Sequence, residues 1–293
     1  MKKIIAIIFI LSAILLLVAC NNQSADYSET EYYILMDEIE AKPIYADYNS
    51  ERSIDFRLGE FEDGLSLDYA VPDSEQGQIV DYITIKDVVY STSLTSLSLI
   101  NMGLTNEDIV LLRYMTNLVH LDLGVRPCCG PEPCYPDCSI WLNQISNISP
   151  LSGLANLEVL YLNDLQIESI TPLSGLTSLT WLRLDGNQIH DVSPLSGLTN
   201  IQTLGLWHNQ IRDISPLGNL KNLTWLGLGN NQISDIAPLS SLVNLETLFL
   251  ETNQISDVSP LSGLVSLEHI YLFDNLVDDW SPVSHVSYVW GRP

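Results

Sequence analysis

Basic side chains are scarce: the 293-residue chain carries 12 lysines and arginines against 36 aspartates and glutamates, a formal charge of -24. Phosphates would be repelled from such a surface, which excludes nucleic acid as a ligand and counts against adhesion to anionic lipid. Histidine is also rare, and the five present (His120, His190, His208, His269 and His285) form no His-Glu-x-x-His or comparable ligand spacing. Missing too are a Gly-x-Ser-x-Gly elbow, a phosphate loop, a dinucleotide fingerprint and a calcium loop of the Asp-x-Asx-x-Asx-Gly type. No metal or other cofactor is therefore expected, and the chain is not expected to be an enzyme.

What is present begins with Lys2 and Lys3, followed by an apolar run from Ile4 to Val18 relieved only by Ser12. The run is short for a bilayer span, which needs about 20 apolar residues, and it has the layout of a secretory signal. It ends in Leu17-Val18-Ala19-Cys20, which resembles the bacterial lipobox, and that resemblance implies diacylation of Cys20 as the mature N-terminus. The expected organisation is a signal peptide over 1–19, a flexible tether over 20–30 and an acidic cap or stalk over 31–80. The expected location is the extracytoplasmic face of the cell membrane, with the acyl anchor as the chain's membrane contact.

From residue 81 to 293 the sequence is dominated by a period of 22, plain from Leu157 onward in blocks such as "LTWLRLDGNQIHDVSPLSGLTN". In Leu182-Arg183-Leu184 the alternation places leucines inward and the intervening residue outward, as in a short strand. Asn187, Asn209, Asn231, Asn253 and Asn275 recur at one station, where a buried amide can bond backbone groups exposed by the turn. Pro150, Pro172, Pro194, Pro216, Pro238, Pro260 and Pro282 mark a return leg that cannot be a strand and is expected to be irregular or 3₁₀. The fold class is thus an α/β-type leucine-rich repeat horseshoe with a parallel sheet on its concave face. A single block cannot bury its own apolar side, so stability comes from stacking and the ends need covers. Residues 276–293, with Trp280, Tyr288 and Trp290, are expected to cover the last coil.

The motif "NQIxDxxPLxxL" at this period closely resembles the internalin family of bacterial surface proteins, over about residues 82 to 293. The resemblance extends to "ITIKDVVYSTSLTSLSL", expected as a first edge strand. It implies a solenoid that binds a protein or other macromolecule on the concave face, without catalysis. The family's usual N-terminal helical cap is not evident here.

Outward strand positions nominate the contact residues: Tyr161, Trp181, Arg183, Gly205, Trp207, His208, Trp225, Gly227, Phe249, Tyr271 and Phe273. An aromatic strip facing solvent would mark an interaction site, although aromatics also suit strands by covering one another across them. Gly205 and Gly227 stand side by side, so a dip is expected there, walled by Arg183, Phe249, Trp181, Trp225, Trp207 and His208. Asp122, Asp164, Asp185, Glu251 and Asp274 around it would favour a basic protein ligand. A cell-envelope glycan stacking on the same tryptophans is the alternative, and a structural spacer or accessory subunit of an envelope complex is a third reading.

One stretch breaks the pattern. Asn143 follows Leu118 by 25 positions where the ordinary block has eight, an insertion of about 17 residues at the rim, spanning 124–142. It contains Cys128, Cys129, Cys134 and Cys138, which lack the paired Cys-x2-Cys knuckles of common zinc sites. Outside the cytoplasmic membrane two disulfides are expected, of unspecified connectivity, making a stiffened knob beside the concave face.

Overall fold

The computed structural model describes residues 80–125 and 142–292. The expectations for 1–79, including Cys20, and those for Cys128, Cys129, Cys134 and Cys138 fall outside the described residues. The chain divides into two units, Met1–Gln76 and Gly77–Pro293. All the described residues belong to the second.

The second unit opens with β1 (Tyr82–Ile85) and β2 (Val88–Ser91), paired antiparallel through a turn at Lys86 and Asp87. Both turn residues have positive φ, 48° and 64°, the geometry that lets a two-residue turn follow the twist of a hairpin. The expected single edge strand is therefore a hairpin with a sheet of its own. Ile83 and Ile85 point into the apolar core, and Lys86 bridges to Asp108 at 3.1 Å, tying the hairpin to the first coil.

Nine three-residue strands then stack in one parallel sheet in strict chain order: β3 (Ser96–Ser98), β4 (His120–Asp122), β5 (Val159–Tyr161), β6 (Trp181–Arg183), β7 (Thr203–Gly205), β8 (Trp225–Gly227), β9 (Thr247–Phe249), β10 (His269–Tyr271) and β11 (Tyr288–Trp290). Register follows the sequence blocks, so that Leu160, Leu182, Leu204, Leu226, Leu248 and Ile270 lie opposite one another. All six are fully buried. The return legs are 3₁₀ turns such as Ser193–Leu195 and Ser215–Asn219, each with its proline at the start and its following leucine buried. There φ is already fixed by the ring and the missing N–H is not needed.

The asparagine station supplies the cross-coil bonds. The Asn209 side chain donates to the carbonyls of Leu184 (3.0 Å), Leu206 (3.2 Å) and Trp207 (3.0 Å), while its oxygen accepts from Ile189 N–H at 2.9 Å. Asn187, Asn231 and Asn253 repeat the set with the same offsets. Asn143 closes the first coils in the same spirit, bonding Leu99 and Leu123 carbonyls. In the coil after the cysteine insertion the station holds Leu165, buried instead of bonded.

Just before this station the backbone turns left-handed. Asp164, Gly186, His208, Asn230, Thr252 and Asp274 all have φ between 51° and 66°, once per coil. Only one is a glycine, so the rim accepts side chains at a conformation most residues avoid, with Asn and Asp the least penalised.

Candidate functional site: the sheet face

The strand residues that point away from the core form three rows across the sheet face, and these rows carry every nominated contact residue except His208. That histidine lies on the left-handed rim station and is exposed.

At the middle of the face the side chains are packed and not open. Trp207, Trp225 and Phe249 are only 6%, 8% and 2% exposed, so the expectation that they face solvent fails for these three. Their rings meet pairwise, with centroids 4.8 Å apart for Trp207–Trp225, 4.9 Å for Trp207–Phe249 and 5.4 Å for Trp225–Phe249. Tilted contacts at such spacings let the ring edge of one face the π cloud of another.

The two glycines explain how this fits. A Cβ on Gly227 would come within 2.3 Å of the Trp207 ring, and one on Gly229 within 2.6 Å of it. A Cβ on Gly205 would meet Arg183 Nε at 2.6 Å and the Asp185 carboxylate at 2.7 Å. The expected dip is thus occupied by the protein's own side chains: Trp207 lies over Gly227 and Gly229, and Arg183 with Asp185 lies over Gly205. The glycines make room for intramolecular packing and leave no open socket.

Polar bonds lock the cluster. Trp207 donates its indole N–H to Glu251 at 2.8 Å and its backbone N–H to Asp185 at 3.0 Å. Arg183 pairs with Asp185 through Nε, and its guanidinium lies 5.6 Å and 5.5 Å from the Trp207 and Trp225 ring centroids. Such cation–π contacts strengthen as water is excluded. Asp185 and Glu251 are buried at 5% and 3%, so they serve this network and not a basic ligand as expected. Asp164 and Asp274 are exposed on the rim, and Asp122 is half-buried.

Toward the two ends the rows open. Tyr161, Trp181 and Arg183 are half-buried on one side. On the other, Tyr271 and His269 are half-buried, while Phe273, Tyr288 and Trp290 are 38%, 55% and 54% exposed. Rings here stack flat: Phe249–Tyr271 at 4.4 Å and 12°, His269–Tyr288 at 4.6 Å and 5°, and Tyr271–Trp290 at 5.9 Å and 3°. Burial and the nearby Glu251 carboxylate push the Tyr271 phenol above its ordinary pKa, so it stays a neutral donor near pH 7. Tyr288 and Trp290 were not among the nominated contacts because the last block looked like a cover. Its 19-residue register, Tyr288 opposite His269 and Trp290 opposite Tyr271, puts both on the sheet face. Trp280, Val283, Val286 and Val289 are what pack against the core end.

The leucine-rich repeat family model matches residues 177–219 and 221–263. An internalin C2 from Listeria monocytogenes is similar in structure with TM-score 0.57 and 35% sequence identity, over 69% of this chain and 84% of that one. The chain belongs to the internalin-like leucine-rich repeat proteins. A second internalin from Listeria monocytogenes, inlF, aligns with TM-score 0.61 and 31% identity over 70% of this chain, which spans 57% of the length of that structure. A plant peptide hormone receptor, RGFR1, seen in complex with RGF2, shares the fold at TM-score 0.50 and 20% identity, over 62% of this chain and 29% of the receptor chain. No curated protein matches the chain in sequence. Within this internalin-like solenoid the described residues contain no group of three or more His, Cys, Asp or Glu placed to hold a metal ion.

Proposed function

We propose that this protein is a lipid-anchored recognition module of the bacterial cell surface that binds a protein ligand across its aromatic sheet face. The observation that carries the reading is the run of stacked, partly exposed rings from Tyr271 to Trp290. No core needs them there, and accessible aromatics on a rigid sheet are the usual anchors of protein interfaces. Tyr161, Trp181 and Arg183 extend the surface at the other end, and Trp207, Trp225, Phe249, Gly205 and Gly227 act beneath it by holding the platform flat. The -24 charge favours a basic partner and speeds its encounter. Attachment through acylated Cys20 would hold the module outside the membrane.

The test is photo-crosslinking on living cells from a probe placed at Phe273, with His190 on the opposite leg as control. One defined protein band from Phe273, lost in a Tyr271→Ala/Phe273→Ala double variant, is expected. Equal labelling from both positions would overturn the reading. A glycan could use the same exposed ring faces, so retention of the full chain on envelope polysaccharide, lost in the same double variant, would move the assignment to that class. Metabolic labelling with a palmitate analogue, abolished by Cys20→Ser, checks the anchor.

A further inference from the structure

Among the described residues β11 is the last strand of the sheet, and that end is built unlike the other. In a parallel ladder one strand's N–H and C=O groups alternate between its two neighbours. On β10 the Glu268 carbonyl accepts from Tyr288 N–H (2.9 Å) and Leu272 N–H donates to the Trp290 carbonyl (2.8 Å). By register the matching positions on β11 are the Ser287 carbonyl, both backbone groups of Val289, and Gly291 N–H, which face the side where no described strand lies. The ring stacks share that direction. His269–Tyr288 and Tyr271–Trp290 are stacked, nearly parallel pairs, so the outer faces of Tyr288 and Trp290 lie where side chains of a next strand would land. Open sheet edges are ordinarily blunted by lysine, proline or a bulge, yet β11 reads Tyr-Val-Trp. The opposite end offers no such platform: β3 presents Ser96 and Ser98.

We propose that β11 is a strand-addition site, at which an extended basic segment of the protein ligand pairs as a tenth strand and lays alternate side chains on Tyr288 and Trp290. This rests on the protein-binding reading above and names the edge where the ligand is held. A basic segment is chosen over a second copy because two chains of -24 repel, and because residues 267–292 carry Glu268, Asp274, Asp278 and Asp279 against Arg292 alone. Backbone pairing supplies affinity in such additions and the alternate side chains supply selectivity.

The experiment uses the full chain in detergent micelles, with hydrogen exchange read by mass spectrometry over residues 287–292. The probes are an alternating Lys-Val octapeptide, its Glu-Val counterpart, and a Lys-Val version with proline at the centre. Only the first is expected to slow exchange, by about tenfold, as new strand hydrogen bonds protect the amides. Val289→Pro removes the outward N–H while sparing the bonds to β10, and it should abolish the protection. Trp290→Ala, which leaves the backbone intact, should weaken it about fivefold through the lost ring contact. Val289→Pro, which leaves the rings of the face in place, should retain crosslinking from Phe273 if the face itself binds, which separates failure of the edge from failure of the face. Protection by the acidic peptide to the same extent, undiminished protection in Val289→Pro, or slowed exchange without peptide accompanied by dimer in sedimentation would each overturn the proposal.

Discussion

The middle and the C-terminal end of the sheet face use the same residue types for opposite purposes. In the middle, Trp207, Trp225 and Phe249 cover each other, seated on Gly227 and Gly229 and bonded through Glu251 and Asp185. At the end, Phe273, Tyr288 and Trp290 keep one side open. Outward strand positions are therefore not equivalent merely because they recur at one spacing: whether an aromatic is structure or surface depends on the size of its neighbour one strand away. Two glycines on the neighbouring coil let a large ring lie down, whereas a ring beside another ring can only stack.

Removing the keystone should have the largest effect. Trp207→Ala is expected to cost about 3 kcal/mol or more, because it deletes a buried ring and leaves Glu251 without its indole donor. Urea denaturation would check this, and a loss below half a kilocalorie would show the middle to be as dispensable as the end. Next comes the shared scaffold: Asn209→Ala should cost about 2 to 3 kcal/mol by stranding buried backbone groups of two coils. Filling the floor sharpens the comparison further. Gly227→Val should cost about 1 to 3 kcal/mol by forcing Trp207 off its seat, with stronger quenching of tryptophan fluorescence by added acrylamide as a second readout, whereas an open dip would have accepted the valine freely. At the C-terminal end, Tyr288→Ala and Trp290→Ala should each stay within about 0.5 kcal/mol of the parent while impairing ligand capture.

Acid provides a smaller test of the return legs. Asp191, Asp213 and Asp279 accept bonds from the backbone N–H and the hydroxyl of the serine two residues on, and Asp257 from the hydroxyl and backbone of Ser259, which lowers all four pKa values. A carboxylate whose folded pKa is depressed lends stability above the ordinary aspartate value and loses it as pH falls through that value toward the folded one. Stability should therefore decline modestly between pH 5 and about pH 3. These groups are exposed, so the decline should also be partly masked by salt.

Much of the scaffold was legible in the sequence because each station has one dominant physical job. Leucines at alternate positions, asparagine after the strand and proline on the return leg specify inward packing, cross-coil bonds and a 3₁₀ turn, with little left for tertiary context to decide. The sheet face was legible only in part. That Tyr161, Trp181, Arg183, Tyr271 and Phe273 share a face follows from the period alone. That Gly205 and Gly227 would be filled, and not left as a dip, depends on side-chain rotation toward a neighbouring strand, which spacing does not encode. A clue was available in Asp185, two residues from Arg183, and in Glu251, in the same outward row as Trp207, which supply the partners that let those side chains lie flat. The last block misled for a related reason: its shortened length concealed the fact that Tyr288 and Trp290 keep the outward register of β10. The hairpin of β1 and β2 was read as one strand because Lys86-Asp87 lacks the glycine that usually announces such a turn.

Hydroxyl-radical footprinting of the full chain, read residue by residue, tests the division of the sheet face most directly. The expected result is strong oxidation of Tyr288, Trp290 and Phe273 with protection of Trp207, Trp225 and Phe249; oxidation of Trp207 and Trp225 at the rate of Trp290 would contradict it.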